Sequence, residues 1–260
     1  MTERLPLTVL IITLNEEHNI ARALKSVDWA AECIVIDSDS KDKTQEIARS
    51  MGARVINRDW PGYGQQKNFG LQEAKYDWVL SLDADEEVSP ELRATLEEFL
   101  RAHGKVKGQQ FWGADFPRKT FYLGRWIMHG GWYPNILTRL SHRKHSRWTT
   151  PQVHESLQVD GGTALLSGDL LHYTFRNVGD QVITNVKYAK FGALAAKARG
   201  ERGSLFKIIL KPVGKFLETY LWKRGFLDGF PGFVISVNAA HSIFMKYVEL
   251  RLEKNTPHRQ

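Results

Sequence analysis

The sequence predicts an α/β fold, in which a mostly parallel sheet is flanked by helices on both faces and is followed by a C-terminal amphipathic helical segment. Short apolar runs alternate with helical periods over the first hundred residues, and residues 205–254 have helical spacing with one apolar face. Alternating strands and helices are typical of a parallel sheet covered on both sides. The composition, with 42% hydrophobic and 25% charged residues, is that of an ordinary globular protein.

The elements follow this alternation in order. Apolar runs predict strands at residues 7–12, 33–36, 54–56 and 78–82. Helical spacing predicts helices at residues 16–29, 42–51, 65–74 and 89–100, the last with Ser89 as N-cap and Pro90 in its first turn. Residues 108–178 are rich in aromatics and Gly without a helical period, which predicts short strands and loops. A helix at 182–200 and two helices broken at Gly225–Gly232 complete the chain.

Polar side chains follow three of the predicted strands. TLNEE comes after the first strand, DSDS after the second and DAD after the fourth. Asp, Asn and Ser are common in simple turns, but ligands of parallel sheets also bind at the carboxyl ends of the strands. Three such ends on one sheet edge predict a ligand crevice.

The stretch SLDADEE places four acidic residues within five positions. A continuing strand would put Asp83 and Asp85 on one face about 6–7 Å apart, where their repulsion is roughly 2–3 kcal/mol at an effective dielectric of about 20. Mg²⁺ or Mn²⁺ would relieve that repulsion and bind phosphate oxygens. Glu86 and Glu87 are interpreted as background charges or caps near the next helix.

Other phosphate-binding devices are missing from the sequence. It contains neither a G-x-x-x-x-G-K-[ST] loop nor a G-x-G-x-x-G turn, which disfavours P-loop NTPases and NAD(P) enzymes. The one cysteine, Cys33, lies in an apolar run and is expected to be a buried structural thiol.

Four ordered motifs resemble the nucleotide-sugar domain of family 2 glycosyltransferases, which has the Rossmann-like GT-A fold: TLNEE, VIDSDSKDKT, GYGQQKN and LSLDADEE. The match covers roughly residues 5–100. The usual D-D-G-S-x-D appears here as DSDSKD, and a Q-x-x-R-W motif is missing, which favours single-sugar transfer over polysaccharide synthesis. Downstream, GGWYPN-ILTRL, PQVHESL and LLHYTF are similar to the bacterial subgroup that adds a sugar to the lipopolysaccharide core.

The resemblance implies a metal-dependent, inverting enzyme with a UDP-sugar donor. Nucleotide-sugar contacts are then expected from Thr13, Asn15, Glu16, Asp37, Lys67, Asn68 and Asp83, with Asp37 accepting from the uracil imide. Asp85 and Asp83 would bind Mg²⁺ or Mn²⁺. His172 fits either a further metal or diphosphate ligand or a buried structural histidine.

An inverting reaction also needs a general base, and Glu155 in VHES is the best candidate. The alternative for Glu155 is a surface carboxylate or a structural ion pair. His154 would contact diphosphate or metal, while Trp132 and Arg139 would shape the sugar and acceptor pocket, although aromatics are more often core residues.

The net charge of +7 is unevenly distributed. Residues 1–186 hold 22 Lys and Arg against 24 Asp and Glu, whereas residues 187–260 hold 14 against 5, a net charge of +9. A lysine stripe at positions 207, 211 and 215 accompanies the apolar face, which indicates either a helix in a membrane interface or an ordinary surface helix. We expect an anionic membrane partner through residues 205–254 and no nucleic acid.

The expected protein is cytoplasmic and peripheral on the inner face of the cytoplasmic membrane, because the sequence has no signal peptide and no spanning apolar run. Residues 1–107 are expected to form the nucleotide-sugar-binding half, 108–180 the acceptor-binding and catalytic half, and 181–260 a basic amphipathic extension. The expected reaction moves a hexose, glucose, from a UDP-sugar to the inner core of lipopolysaccharide or lipooligosaccharide. The alternatives are a polyprenyl-phosphate sugar synthase and a non-enzymatic peripheral membrane module with a relic sugar-nucleotide fold.

Overall fold

The structure is a computed structural model that describes residues 4–150 and 155–252. The strands are β1 (Leu5–Thr13), β2 (Ala30–Asp37), β3 (Arg54–Asn57), β4 (Trp78–Asp83), β5 (Glu86–Val88), β6 (Lys105–Val106), β7 (Gln109–Gln110), β8 (Gly113–Tyr122), β9 (Arg125–Ile127), β10 (Asn135–His142), β11 (Ser146–Trp148), β12 (Leu157–Val159), β13 (Thr163–Leu165) and β14 (Leu170–His172). The helices are α1 (Ile20–Ser26), α2 (Thr44–Ser50), α3 (Tyr63–Glu73), α4 (Pro90–Arg101), α5 (Val178–Ala198), α6 (Leu205–Leu217) and α7 (Gly229–Leu252).

The large sheet has the strand order β3-β2-β1-β4-β10-β8-β14-β5. Its first four strands are parallel, as predicted, and β10 joins them antiparallel to β4. The register pairs Thr13 with Asp37, and Ile12 with Asp83. The polar ends of β1, β2 and β4 therefore meet at one edge of the sheet.

Two apolar clusters hold this sheet to its helices. Alternate residues of β1 point to opposite faces, so Leu7, Val9 and Ile11 join one cluster while Leu10 and Ile12 join the other. On the first face, α4 contributes its buried residues Leu92, Leu96, Phe99 and Leu100. The predicted cap is present, since the Ser89 hydroxyl accepts from the Leu92 N–H at 3.2 Å.

The chain divides into two compact units. The first is Met1–Arg118 with Asn135–His172 and contains the four parallel strands, and the second is Lys119–Pro134 with Tyr173–Gln260. Within the second unit, Ala193 and Ala196 of α5 pack against Tyr247 and Leu250 of α7. The division of the chain into nucleotide, acceptor and extension segments stays a prediction.

Several boundaries differ from the predicted ones. Helix α1 begins at Ile20, not at residue 16, because the preceding residues form a loop fastened to the loop after β2. The predicted helix at 182–200 is α5, which begins four residues earlier at Val178. The break near the C-terminal end consists of a π-helical turn (Glu218–Trp222) and a 3₁₀ turn (Gly225–Asp228), so α7 begins at Gly229. Across residues 4–150 and 155–252, no helix combines the length and apolarity needed to cross a membrane.

Candidate active site

Asp37 ties together the polar ends of β1 and β2. Its Oδ1 accepts from the Ser40 N–H at 2.8 Å and from Gln45 Nε2 at 2.7 Å, while its Oδ2 accepts from the hydroxyls of Thr13 at 2.8 Å and Ser40 at 2.6 Å. A carboxylate has about four acceptor positions, and the protein occupies all of them here. The uracil contact proposed for Asp37 stays a prediction and would require one of these bonds to be exchanged.

Asn15 and Glu16 fasten the loop after β1 to the loop after β2. The Asn15 N–H donates to the Ser40 hydroxyl and the Asn15 side-chain oxygen accepts from the Lys41 N–H, both at 2.8 Å. The Glu16 N–H donates to the Thr44 hydroxyl at 2.7 Å. Asn15 adopts the left-handed conformation, with φ of 56°, which asparagine tolerates better than most residues. This rigid double loop forms one side of the sheet edge, where both residues are predicted to contact nucleotide.

Lys67 joins two carboxylates from distant parts of the chain. Helix α3 buries its side chain to 2% exposure, and Nζ lies 3.2 Å from both Asp83 Oδ1 and Glu155 Oε1. The ammonium group also lies over the Trp148 ring, 4.5 Å from its centroid. The structure therefore brings Lys67, Asp83 and Glu155 together, as expected for parts of one site. The ion pair between Glu155 and Lys67 is compatible with both interpretations of Glu155, as a general base and as one partner of a structural ion pair.

Arg139 neutralises the other side of Asp83. Its Nη2 lies 2.6 Å from Asp83 Oδ2 and 3.1 Å from Glu86 Oε1, and Glu86 also receives Arg118 Nη1 at 3.2 Å. Burial alone would raise the pKa of Asp83, but the charges of Arg139 and Lys67 outweigh it and hold that pKa well below its ordinary value. Burial would lower the pKa of Arg139, and the charges of Asp83 and Glu86 raise it above the ordinary value instead. The predicted contact of Arg139 with an acceptor or diphosphate stays a prediction.

The structure corrects the interpretation of SLDADEE in two respects. Strand β4 ends at Asp83 and Asp85 lies in a turn, so the two carboxylates do not share one face of a continuing strand. Lys67 and Arg139, both cations of the protein, offset the charge of Asp83. Glu86 is not a background charge, because it is fully buried in β5 and accepts from the Asp83 N–H at 2.9 Å.

Asp85 meets His172 on the other side of the turn. His172 Nε2 lies 3.2 Å from Asp85 Oδ2, and the histidine is buried in β14, where it pairs in register with Glu86 of β5. A carboxylate oxygen with an imidazole nitrogen is a donor set that suits Mn²⁺, and Mg²⁺ also binds through one or two carboxylates with substrate phosphates and water. Over the described ranges 4–150 and 155–252, no group of three or more metal-binding side chains occurs. Asp85 and His172 are thus the two side chains that would hold such an ion, with phosphate oxygens completing its shell.

Asn68 and Gly64 set the position of the segment that leads to Glu155. The Asn68 amide donates to the Trp148 carbonyl and accepts from the Trp148 N–H, both at 2.8 Å, which fastens β11 to α3. A Cβ atom at Gly64 would lie 2.0 Å from the Thr149 carbonyl oxygen, so only glycine allows this approach. The observed task of Asn68 is structural, and its predicted nucleotide contact stays a prediction.

Gly64→Ala should therefore displace β11 and the segment toward Glu155. We expect a loss of about 1–3 kcal/mol in the free energy of unfolding, because the methyl group meets backbone and not a flexible side chain. Urea denaturation measures this loss. Gly214→Ala is the matched control, because that glycine is also helical and a Cβ there meets nothing within 4 Å. Equal stability of both variants would contradict the tight contact at Gly64.

The remaining predicted residues lie elsewhere or outside the described ranges. Trp132 belongs to the second unit, where its ring packs 5.7 Å from Tyr122 and 6.4 Å from Phe175 between centroids, and its role toward an acceptor stays a prediction. His154 lies outside the described residues. Glu86 and Arg118 are the residues whose roles the sequence patterns missed, since Glu86 was interpreted as a background charge of LSLDADEE and Arg118 stands in no motif.

Comparisons with known proteins identify the family of this chain. The sequence model described as "Glycosyl transferase family 2" matches residues 8–156, more than half of the chain. An uncharacterized glycosyltransferase of Rickettsia typhi, RT0209, is 32% identical over 94% of this chain and 86% of its own length. The lipopolysaccharide core biosynthesis glycosyltransferase LpsC of Rhizobium meliloti is 29% identical over 95% of both chains.

A solved glucosyl-3-phosphoglycerate synthase of Mycobacterium tuberculosis, in complex with Mn²⁺, UDP and glucosyl-3-phosphoglycerate, is 27% identical over 45% of this chain and 44% of that chain, with a TM-score of 0.35. The family match spans the parallel strands, Lys67, Asp83, Asp85 and Glu155. Because that match covers more than half of the chain, and because its relatives match over nearly its full length, the chain belongs to glycosyl transferase family 2.

Proposed function

We propose that this chain is a metal-dependent, inverting glycosyltransferase that moves glucose from UDP-glucose to the inner core of a lipid-anchored oligosaccharide at the cytoplasmic membrane face. The observation that carries the proposal is the pairing of Asp85 with His172 at 3.2 Å. Asp85 follows two residues after Asp83, which Lys67 joins to Glu155 at the polar edge of the sheet. A metal site beside a candidate base suits transfer from a nucleoside diphosphate sugar.

Asp85 and His172 would hold Mg²⁺ or Mn²⁺. When bound, such a cation neutralises charge on the departing diphosphate. The buried ammonium group of Lys67, 3.2 Å from Asp83 Oδ1, supplies a second positive charge to the same edge. Asp83 and Arg139 hold that edge in place, while the double loop of Asn15 and Glu16 is proposed to receive the nucleoside.

Glu155 is proposed as the general base. Its carboxylate would take the proton of the acceptor hydroxyl as that oxygen attacks the anomeric carbon and UDP leaves from the opposite face, which inverts the configuration. Lys67 positions Glu155 through their ion pair, and the Thr149 N–H, which donates to the Ser156 carbonyl at 2.9 Å, fixes the backbone next to Glu155. Lys67 is thus a positioning residue for the base.

A lipid-anchored acceptor agrees with the surface of α6. None of its residues is fully buried, and Phe206, Ile209, Val213 and Leu217 are between 47% and 71% exposed. Lys207, Lys211 and Lys215 lie on the same helix, which gives it the apolar face and cationic stripe of an interfacial helix. LpsC, a nearly full-length relative, is named for lipopolysaccharide core biosynthesis, which supports an acceptor of that class.

A donor and acceptor screen tests the proposed reaction. We expect Mn²⁺-dependent UDP release from UDP-glucose only when a core oligosaccharide is present, with a product of inverted anomeric configuration. Release that requires a polyprenyl phosphate instead would support the alternative synthase. No transfer from any nucleotide sugar, by protein shown to be folded, would contradict the proposal.

The membrane proposal predicts a charge-dependent affinity. Replacing Lys207, Lys211 and Lys215 by Gln should weaken binding to phosphatidylglycerol vesicles on the order of 100-fold, at roughly 1 kcal/mol for each lysine. Vesicle sedimentation measures this change. The control replaces Lys41, Lys105 and Lys107 by Gln, which removes the same charge from the first unit and should change binding little. Equal losses for both variants would show a non-specific charge effect and contradict the α6 surface.

A further inference from the structure

The second unit carries an open apolar groove on α6 and the π-helical turn that continues it. Its volume is about 410 Å³, within the ~300–1,000 Å³ range of small-molecule sites. The lining residues follow one side of the helix: Gly214, Leu217, Glu218, Leu221 and Trp222. Trp222 is 83% exposed, whereas tryptophan is highly buried on average.

Gly214 creates the open part of this groove. Glycine is among the least favourable residues in a helix interior, and it is usually explained there by another chain segment that packs closely. At Gly214 no segment of the described ranges 4–150 and 155–252 packs so closely, because an added Cβ would meet nothing within 4 Å. The missing side chain therefore leaves space on the outer surface of α6. A ligand can lie there against the side chains that line the groove.

The polar rim of the groove is cationic. Its one acidic lining residue, Glu218, is held by Lys215 Nζ at 3.1 Å and by Lys223 Nζ at 2.6 Å. These three side chains carry a net charge of +1, and the whole of residues 187–260 carries +9. An apolar channel with a cationic rim matches a hydrocarbon chain that ends in an anionic group.

We propose that this groove binds one acyl chain of an anionic lipid, with the lipid phosphate beside Lys215 and Lys223. The inference rests on the proposed membrane association and adds to it a specific site, whereas the exposed face of α6 alone requires only a non-specific interface. The acyl chain would lie along Leu217 and Leu221, across the space above Gly214, and Trp222 would cover it at the interface.

A graded series at Gly214 tests the site. The full chain is titrated calorimetrically with monomeric dioctanoyl phosphatidylglycerol below its critical micelle concentration. We expect saturable binding of one lipid, a small loss of affinity in Gly214→Ala and a loss of at least about tenfold in Gly214→Leu, whose side chain fills the groove. Both substitutions favour the helix, so unfolding does not account for the loss, and circular dichroism verifies this.

Controls separate the contributions of the acyl chain and of the lipid headgroup, and they distinguish lipid from a second copy of the protein in the groove. Leu205→Ala removes an exposed apolar side chain of α6 outside the groove and should leave the lipid affinity unchanged. Glycerophosphoglycerol, which has no acyl chain, and dioctanoyl phosphatidylcholine, which has no net charge, should both bind more weakly. Equal affinity of wild type and Gly214→Leu would overturn the proposal, as would a change of oligomeric state in Gly214→Leu without a change in lipid binding, since a second copy of the chain would then occupy the groove.

The assay contains no sugar donor or acceptor. Its failure therefore leaves the proposed glycosyl transfer untouched. A variant in which Gln replaces Lys207 and Lys211 but Lys215 is kept tests membrane association separately on phosphatidylglycerol vesicles. If the protein bound vesicles normally but the Gly214 substitutions did not change its lipid affinity, the lipid site in the groove would be rejected and the proposed membrane association would stand.

Discussion

Glu155→Gln is expected to lower kcat for glycosyl transfer by about 10²–10⁴-fold, the usual contribution of a positioned general base. The amide is nearly isosteric and can still accept from Lys67, which lies 3.2 Å from Glu155 Oε1 and keeps Asp83 as its other partner. Donor affinity should therefore change little. Initial rates of UDP release together with calorimetric titration of the donor measure the two effects separately.

The structural alternative for Glu155 predicts the opposite pattern. If the carboxylate served only to hold Lys67, the Gln variant would lose stability or donor affinity and retain kcat. Glu87→Gln is the matched control, because Glu87 is another acid of the first unit, in β5, whose carboxylate lies 3.8 Å from Arg22 Nε and to which no catalytic role is assigned. It should keep a kcat near that of wild type. Full kcat in Glu155→Gln would remove Glu155 from the proposed mechanism.

Arg139→Leu should produce the largest loss of stability, about 3–5 kcal/mol in the free energy of unfolding. Arg139 is buried and bridges Asp83 and Glu86, and Glu86 has no exposure to water. Without Arg139, Asp83 keeps its ion pair with Lys67 and Glu86 keeps its ion pair with Arg118, but each carboxylate loses one cation. Leucine fills part of the space but offers no hydrogen bond. Urea denaturation at neutral pH measures the loss.

A half-exposed ion pair provides the comparison for Arg139. Arg93 and Glu97 are four residues apart on α4, 2.9 Å between Nε and Oε1, with much of the arginine in water. Arg93→Leu should cost less than about 1 kcal/mol. Similar losses for the two variants would mean that the Asp83–Arg139–Glu86 network does not stabilise the first unit as described.

The sequence patterns predicted the fold well where a local signal existed. The apolar runs of β1, β2 and β4 and the Ser89 cap of α4 were identified because burial on both faces and capping each leave a local pattern. The polar ends of the same strands indicated the edge at which Lys67, Asp83 and Glu155 meet. The family resemblance, carried by four ordered motifs, was confirmed by the family match.

Long-range pairing left no such signal. Strand β5 has three residues, of which two are acidic, so no pattern marks it as a strand. Glu86 is buried there only because Arg118 and Arg139 reach it from β8 and β10, more than thirty positions further along the chain. The meeting of Asp85 with His172 likewise depends on the pairing of β14 with β5. Charges that are compensated from such distances cannot be assigned from local spacing, which is why Glu86 was interpreted as background.

The most direct test of the central claim is a titration with Mn²⁺ in the presence of UDP, followed by electron paramagnetic resonance of free Mn²⁺. The titration compares the wild-type protein with the variants Asp85→Asn and His172→Phe, each of which removes one of the two proposed metal ligands. We expect wild type to bind one Mn²⁺ per chain together with UDP, and each variant to bind it at least about tenfold more weakly with its fold intact. Unchanged Mn²⁺ affinity in both variants would contradict the proposed metal site.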